Sequence, residues 1–573
     1  MKKLITILIL VVMLFSMVTI TTAADTTGMI IYVAPNGNDA NDGSEASPLA
    51  TLKGARDKVR AIKAAGLPAN GITVMFRGGE YKWTEKVEFD SQDSGTANAK
   101  IKYCAYPGET PIFTGGTRIP ASEFTAVTDE AVLAKWSNRK AKEAIRQIDI
   151  KSYVAKMGRT DMEAWYPLMG DRYTTNTKEE EYIKRPMFST DNNPALWLAR
   201  YPNKKEGNYP ENKFPSYLLT GNIIKETTDN GDVVGEGAVF QYSDRRISKY
   251  AGYEDIWFYG LPKWVFYDED LRIASIDAAN STITTAVAPV RGISSGREFF
   301  IYNILDELDQ PGEYFVDKNT GMLYFYPDGE FEYFNISLFN SDYMIRVKDA
   351  SHITFSGLSI ENARSGGIYI TGGDSVRAEY CSIRNLSGNG ITIGDPSEVV
   401  YTPFIDYKWT DWNDNFALNE AQTAVKVIED WAVPSKSVKV RGQNHGVYGC
   451  FITNIGLTGI DMAGGNIYLE ERANYYVENC DISFAGQNCA RYQPGIGVDN
   501  IHGVSIKNNE LSHFPGSAIQ GYITGAEITG NNIYDGVTNN YDMGLLYFNY
   551  CMPALDVTIK NNYLHDVPPE VDI

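Results

Sequence analysis

From about residue 350 onward, one short pattern of apolar and polar residues returns along the chain. Its phrases include GLSIENA at 357, GCFITNI at 449 and NNYLHDV at 561, and each holds an aliphatic residue at the same place. The members of this aliphatic column are Ile360, Ile383, Ile452, Ile482, Leu511, Ile533 and Leu564. They are separated by 23, 69, 30, 29, 22 and 31 residues, which indicates a basal unit of 22 to 23 residues with insertions.

Each unit contains short β-favouring pieces that are broken by Gly and Asn, and none contains a long amphipathic helix. Such pieces cannot bury a face alone, but stacked turns about 4.8 Å apart satisfy the backbone and build one interior. The pattern therefore predicts an all-β fold, a right-handed parallel β-helix. A leucine-rich solenoid would need its leucine-rich repeat motif, which is absent here. A propeller would need a repeat of about twice this length.

A second column lies two residues before the aliphatic one. It consists of Leu358, Cys381, Cys450, Cys480, Asn509, Asn531 and Asn562. We expect an inward stack of small apolar side chains that passes into a ladder of hydrogen-bonded asparagines. The cysteines are then structural free thiols, and the alternative is a disulfide between Cys450 and Cys480 on neighbouring turns.

The front of the chain predicts the start of the same coil. The segment at 31–60 reads as a strand, a Gly- and Asn-rich turn and a helix with Leu52, Ala55, Val59 and Ile62 on one face. Such a helix can cap the open end of a solenoid. Strands are expected at 71–77 and 100–105. The DANDG stretch at 39–43 lacks the distal Glu of a calcium loop and is interpreted as a turn. We assign 25–120 to the cap and first turns.

Two regions depart from the repeat. Between 121 and 340, a charged helical stretch at 130–145 and alternating strands at 195–200 and 298–304 predict an inserted antiparallel β domain. The main β-helix then spans 341–573. It is interrupted at 396–438 by a long excursion that contains Trp409 and Trp412. We interpret this excursion as an aromatic wall of a substrate cleft, with a self-packed loop as the alternative.

The N-terminus predicts export. Lys2 and Lys3 precede an apolar run at 4–20, and small residues follow at 21–24, the arrangement of a secretory signal peptide. The alternative is an uncleaved anchor. We expect a secreted protein that is free of the membrane once residues 1–24 are removed, and a monomer.

Composition narrows the choice of partner. The formal net charge of -20 argues against nucleic acid and anionic membranes, because both attract positive charge. Aromatic residues make up 12% of the chain, with 37 Tyr and 9 Trp, and such side chains either stack on sugar rings or fill β-sheet surfaces. We therefore expect a carbohydrate partner and no cofactor.

Carboxylates are the candidate catalytic groups. The sequence has no zinc-binding motif, no phosphate-binding Gly loop and no nucleophile elbow, and it contains 5 His. Asp499 in YQPGIGVDN and Asp542 in NYDMGLLY each stand beside an apolar strand, and His513 lies between them. Glycoside hydrolysis needs one protonated and one ionised carboxyl group. Taken singly, each Asp also fits an outward-facing or turn position.

Several stretches resemble secreted β-helix proteins of glycoside hydrolase family 141. They are the opening IYVAPNGNDANDG, ALWLARYPN at 195–203, ILDELDQPGEYFVDKNTGMLYFYP at 304–327 and the run 492–547. The resemblance implies a parallel β-helix with an extra β domain and activity on plant cell-wall glycans, including fucosidase and xylanase activities. It assigns catalysis to a pair of aspartates, here Asp499 and Asp542. We add substrate contacts from Arg491, Tyr492, His513, Tyr547, Trp409 and Trp412, and no metal.

The resemblance has three limits. Relatives often carry histidines on both sides of the position of Pro515, whereas here only His513 remains. The excursion at 396–438 is not part of the family pattern. Relatives also continue past the position of Ile573 with another turn that bears an acidic motif, so we expect that the sequence is a fragment.

Alternatives to hydrolysis stay open at this point. A polysaccharide lyase would use an Arg base such as Arg491, and a glycan-binding solenoid would need no catalysis. Asp499 and Asp542 lie two turns apart, about 10 Å along the axis, which favours inversion through a water over a covalent intermediate.

Overall fold

The computed structural model describes residues 28–155, 187–193, 196–203, 217–226, 237–265, 267–394, 442–465, 470–489, 492–538, 543–548 and 555–567. The predicted signal peptide, the whole excursion at 396–438, Arg491 and Asp542 lie outside these ranges. The described chain is mostly β-structure, with 40 strands and one long helix at Leu52–Ala65.

Parallel strands of successive turns stack into three faces of a coil, which we name sheets 1, 2 and 3. Sheet 1 contains Met29–Val33, Ile72–Phe76, Ile101–Ala105, Ile353–Ser356, Arg377–Glu379, Gly446–Tyr448, Tyr475–Glu478 and Thr558–Lys560, with the later parts of Ile496–Lys507 and Ile519–Thr529. Sheet 2 contains Gly79–Lys82, Pro111–Thr114, the first part of Ser359–Thr371, Ser382–Leu386, Phe451–Ile455, Asp481–Ser483, Glu510–Ser512, Asn532–Tyr534 and Tyr563–His565. Sheet 3 contains Val87–Phe89, Phe339–Lys348, the later part of Ser359–Thr371, Ile391–Ile393, Ile460–Gly464, Leu546–Tyr547 and the first parts of Ile496–Lys507 and Ile519–Thr529.

The aliphatic column of the sequence is a physical stack on sheet 2. Ile360 pairs with Ile383, Ile383 with Ile452, and the pairing continues in register to Leu564. From Ile360 to Ile533 these side chains are fully buried. The repeat alignment is confirmed.

The second column lies at the turn from sheet 1 to sheet 2. Cys381, Cys450 and Cys480 of this column are buried and form no disulfide within the described part of the chain, so the structural-thiol interpretation is confirmed over the disulfide. Lower in the column, the Nδ2 atom of Asn509 donates to Asn531 at 2.9 Å, and that of Asn531 donates to Asn562 at 2.8 Å. The predicted asparagine ladder is therefore present. Its amides also satisfy backbone groups of the turn.

The helix Leu52–Ala65 packs on the start of the coil. Its Leu52, Ala55 and Val59 side chains are buried in the same core as the first strands. The Oδ1 atom of Asp39 accepts from the backbone N–H groups of Ala50 and Thr51 at 2.8 and 3.0 Å. The DANDG stretch therefore acts as a turn that holds the helix start. That the helix shields the end of the solenoid stays a prediction.

Three further sheets occupy much of the chain between the early and late turns, and their strands pair antiparallel except for Trp197–Leu198, which is parallel to Glu313–Asp317. One sheet joins Phe188–Thr190, Tyr333–Ser337 and Gly116–Pro120. A second joins Trp197–Leu198, Glu313–Asp317, Met322–Phe325, Arg146–Asp149 and Thr125–Ala126. A third joins Arg200–Tyr201, Glu298–Tyr302, Trp257–Gly260, Glu269–Asp277, Thr282–Thr285, Val239–Gln241 and Ile223–Lys225, and Leu218–Leu219 also pairs with Glu298–Tyr302. The limits of this region as a domain stay a prediction.

The helical stretch predicted at 130–145 is confirmed, but it is not continuous. Two short helices, Glu130–Leu133 and Arg139–Ala144, occupy the stretch, and a third follows at Lys151–Ala155. Trp136 lies between the first two, fully buried, and its indole N–H donates to the carbonyl of Leu305 at 2.7 Å. Burial of this ring ends the first helix, and the Asn138 side chain caps the second.

Short 3₁₀ turns complete the described elements, at Ser91–Asp93, Ala121–Glu123, Arg245–Tyr250 and Leu305–Glu307. Among the described residues, no helix combines the length and the apolarity that crossing a membrane requires.

Candidate active site

A row of outward-facing residues crosses sheet 3 in register over consecutive turns, and we name it the site row. It consists of Tyr369, Thr392, Asp461, Gly497, Gln520 and Tyr547. The strand neighbours of the row, such as Ile460, Met462 and Val498, are fully buried. Because successive side chains point to opposite faces of a strand, the row faces outward.

Asp461 is the described carboxylate of the row. It is half-buried, and the two aliphatic neighbours that fix its strand point inward. On the next strand it faces Gly497, where a Cβ atom would stand 2.7 Å from the Oδ1 atom of Asp461. The absence of a side chain at position 497 therefore makes room for this carboxylate.

Asp499 lies two residues beyond Gly497, on the strand Ile496–Lys507. The pairing with Ile519–Thr529 shifts there, because Val498 faces Gly521 while Ile501 faces Ile523. One extra residue is thus accommodated at Asp499 and Asn500, which is a β-bulge. Bulges redirect a side chain and are common beside active sites. From strand rise and spacing, the Cα atoms of Asp461 and Asp499 are about 8 Å apart.

A chain of hydrogen bonds runs beside the row across several turns. The hydroxyl groups of Tyr343 and Thr392 are 2.9 Å apart, and Asn389 donates to the Thr392 hydroxyl at 3.1 Å. Asn389 in turn accepts from the backbone N–H of Thr458, whose hydroxyl donates to Gln493 at 2.8 Å. This chain fixes the polar groups next to Asp461.

Aromatic and amide groups lie on either side of Asp461. The rings of Tyr343 and Tyr369 stack with centroids 4.8 Å apart. On the other side of Asp461, the Oε1 atom of Gln520 is buried and has no hydrogen-bond partner among the described residues. A carboxylate between stacked rings and an amide oxygen that lacks a hydrogen-bond partner in the described chain is an arrangement that can bind hydroxyl-rich molecules.

The structure describes some of the predicted site residues and leaves others outside its ranges. Tyr547 belongs to the site row, and the backbone of Asp499 lies beside the row. Tyr492 is exposed in the loop that leads to the Asp499 strand. Asp542, Arg491, Trp409 and Trp412 lie outside the described residues, as does the rest of the predicted aromatic wall.

His513 lies apart from the row, at the end of a strand of sheet 2. Its ring stacks on Phe484 with centroids 4.5 Å apart, and its Nδ1 atom is 2.8 Å from the hydroxyl of Ser512. Its Nε2 atom is 3.6 Å from Asp535. Substrate binding by His513 stays a prediction.

Sequence reasoning missed Asp461 and a second pair of carboxylates. Asp461 lies in GIDMAGG and has the same apolar flanks as Asp499, so the same signal was available.

On sheet 2, Asp481 faces Glu510 in register, and Glu510 accepts from the Asn532 amide at 2.9 Å. Although Asp481 is exposed, desolvation by the surrounding protein and the charge of Glu510 raise its pKa to about 6. No signal in the sequence distinguished this pair.

Comparison with known proteins supports the fold. Residues 301–403 match the sequence model of a family described as right handed beta helix region. The chain is also 35% identical over 88 residues to the uncharacterized protein YwoF of Bacillus subtilis (strain 168), an alignment that spans 15% of this chain and 16% of that protein.

Alignments with solved structures cover more of the chain. One described as "Glycoside hydrolase" aligns with a TM-score of 0.63 at 16% identity, covering 95% of this chain and 89% of that one. The complex of XylC with xylose aligns with a TM-score of 0.41 at 15% identity, covering 89% and 62%. At 16% identity, the likeness to the first of these structures extends to the fold: the protein contains a right-handed β-helix arranged as in a glycoside hydrolase.

Proposed function

We propose that the protein is a secreted, monomeric glycoside hydrolase of the family 141 type that acts on plant cell-wall glycans. The observation that carries the proposal is the strand register, which places Asp461, faced by Gly497, on the strand next to the β-bulge at Asp499. The likeness of the whole chain to a glycoside hydrolase fold supports it. Fucosylated and xylan oligosaccharides are the proposed substrates.

In this proposal two carboxyl groups act as the acid and the base on sheet 3. Asp499 is one of them. Asp461 on the adjacent strand is the proposed partner, and Asp542 is the partner that the family resemblance indicates. A Cα separation of about 8 Å leaves room for a water between the two carboxyl groups, so we propose inversion at the anomeric carbon.

Neighbouring groups would orient the sugar. The stacked Tyr343 and Tyr369 rings offer an apolar platform, and the buried oxygen of Gln520 offers an acceptor for a sugar hydroxyl. Because the Tyr343 hydroxyl is held by Thr392, the platform is fixed before substrate arrives.

The test is a screen of the protein against fucosylated, xylan and pectic oligosaccharides, together with Asp461→Asn, Asp499→Asn and Asp542→Asn. We expect new reducing ends from the native protein and a loss of turnover of about 10²- to 10⁴-fold in Asp461→Asn and Asp499→Asn. Asp57→Asn, at an exposed carboxylate on the helix Leu52–Ala65, is the control and should retain full turnover.

Three results would contradict the proposal in different ways. Full turnover in Asp461→Asn together with loss of turnover in Asp542→Asn would identify Asp542, rather than Asp461, as the partner of Asp499. Unsaturated products that absorb in the ultraviolet would indicate a lyase. Sugar binding without turnover by the native protein would indicate a binding protein.

A further inference from the structure

A cavity of about 380 Å³ opens on the outer face of sheet 1, away from the site row. Its walls include Arg472, Tyr476, Glu478, Ser505 and Glu527. Its size is that of pockets that enclose small ligands. None of these residues is a candidate site residue from the sequence, and the proposed reaction does not use them.

One wall is built around the side chain of Arg472. A Cβ atom at Gly503 would stand 2.7 Å from the Cβ atom of Arg472, and one at Gly525 would stand 2.9 Å from its Nη1 atom. Both glycines have positive φ, 90° and 60°. The Nη1 atom of Arg472 donates to the Gly525 carbonyl at 3.1 Å, and its Nη2 atom pairs with Asp556. Two glycines therefore make space for a fixed arginine.

A second wall is the ring of Tyr476. A Cβ atom at Gly446, its partner on the preceding strand, would stand 2.0 Å from the Cζ atom of Tyr476, so the ring lies directly across that glycine. On the following strands, Ser505 and Glu527 continue in register from Tyr476 and line the same cavity. An aromatic ring thus stands beside a hydroxyl group and a carboxylate.

Two of the charged side chains that line the cavity are already in ion pairs. Glu527 pairs with Lys507 at 2.6 Å, and Arg472 pairs with Asp556. Glu478 accepts a hydrogen bond from the Ser505 hydroxyl at 3.3 Å. A strongly charged ligand would have to break these pairs, whereas neutral hydroxyl groups can add hydrogen bonds to the carboxylates.

We propose that this cavity is a second glycan-binding site, which takes a neutral pyranose unit of a sugar chain. The apolar face of the sugar lies on Tyr476, and its hydroxyl groups bond to Glu478, Ser505 and Glu527. The site is separate from the row on sheet 3 and takes no part in bond cleavage. The choice of a sugar as ligand is supported by the proposed function, but binding here does not require turnover.

The experiment uses the Asp499→Asn protein, in which cleavage of the probe is prevented. Xylohexaose is titrated by calorimetry into this variant alone and combined with Tyr476→Ala, Tyr476→Phe or Tyr448→Ala. Tyr448 lies on sheet 1 beside the cavity strands but outside the cavity lining, so it is the matched control. Thermal unfolding of each variant checks that the fold is retained.

We expect Tyr476→Ala to raise the Kd of one binding event for xylohexaose by at least 10-fold or to abolish that event. Tyr476→Phe and Tyr448→Ala should bind xylohexaose as the parent does. Hydrogen exchange should show protection of the amides at 503–505 and 525–527 when xylohexaose is added, and Tyr476→Ala should abolish it. Unchanged binding and protection in Tyr476→Ala would overturn the proposal, and so would preferential binding of an anionic galacturonic acid hexamer that Tyr476→Ala removes. Neither result bears on turnover of the native protein, so the proposed function is tested separately.

Discussion

Asp461 and Gly497 face each other on adjacent strands of sheet 3, and a methyl group at position 497 would meet the Oδ1 atom of Asp461 at 2.7 Å. That contact is too short for a carbon and a carboxylate oxygen, so the side chain of Asp461 would have to move. The glycine therefore controls the position of the carboxylate without itself carrying a functional group. This relationship connects the regular register of the coil with the proposed chemistry.

The first prediction follows from this pair. Gly497→Ala should lower kcat by at least about 10-fold, because a shift of the order of 1 Å in a reacting group is costly. The free energy of unfolding should change by no more than about 1 kcal/mol, since the end of a side chain can give way. Steady-state kinetics and denaturant unfolding measure the two effects. Gly329→Ala, where a Cβ atom meets nothing within 4 Å, is the control, and equal kcat in both variants would contradict the prediction.

The second prediction concerns the contact between the antiparallel strands and the coil. Glu361 is buried on sheet 2, and its carboxylate accepts from Arg118 of the strand Gly116–Pro120 at 2.9 Å and from Arg384 at 2.6 Å. Glu361→Gln leaves the two guanidinium groups without their shared counter-charge. Because both arginines keep partial contact with water, we expect a loss of about 2 kcal/mol in the free energy of unfolding.

Denaturant titration checks this value. The matched control is Glu85→Gln, which removes an ion pair with Lys53 that is exposed on both sides. It should cost less than about 0.5 kcal/mol. Equal losses of unfolding free energy in the two variants would show that the buried ion pairs contribute no more to stability than a surface ion pair does.

The third prediction contrasts two members of one column. Asn531 accepts from the backbone N–H of Asn509 at 3.0 Å and donates to the carbonyl of Ile506 at 3.1 Å. Asn531→Ala leaves both buried groups unpaired, so we expect a loss of about 2 to 4 kcal/mol. Cys450→Ala, higher in the column, removes a small apolar group and should cost about 1 kcal/mol. Thermal unfolding compares them, and a larger cost for Cys450→Ala would refute the hydrogen-bonding role of the ladder.

The repeating part of the fold could be predicted because its signal is local and recurrent. Ile383 and Ile452 occupy the same place in their phrases, and the cysteine and asparagine columns follow from the same alignment. The break at Trp136 could not be predicted, because it depends on a carbonyl at Leu305, far along the chain. Tertiary packing of this kind overrides local helix preference.

The site was harder to predict than the fold, for a physical reason. Register across a solenoid depends on how many residues each turn holds, and insertions of variable length separate Asp461 from the row members before and after it. The sequence therefore indicated Asp499 as a single carboxylate beside an apolar strand but gave no distance to Asp461. The bulge at Asp499 and the cavity at Tyr476 likewise arise from pairing between strands, which no single phrase contains.

The last prediction is a pH dependence of stability that arises at His445. The imidazole is fully buried, accepts from the backbone N–H of Val376 at 3.0 Å and donates from Nε2 to the carbonyl of Gly372 at 3.1 Å. Burial lowers the pKa of His445 to about 4, with Asp374 and the backbone contacts acting weakly the other way. In the unfolded chain the pKa returns to about 6.5, so the unfolded state binds the extra proton first. The contribution to stability is therefore complete above about pH 6.5 and is lost as the pH falls toward 4, by roughly 3 kcal/mol in total.

The measurement is chemical denaturation from pH 4 to pH 7 of the native protein and of His445→Gln, which keeps a donor and an acceptor but cannot titrate in this range. Asp481 acts in the opposite direction, because its raised pKa of about 6 makes the folded state take up a proton as the pH falls below that value. The difference between the two proteins removes the effect of Asp481 and of every other shared group. We expect that difference in unfolding free energy to shrink with falling pH by roughly 3 kcal/mol, and a difference that is constant with pH would show that His445 is not held neutral by the fold.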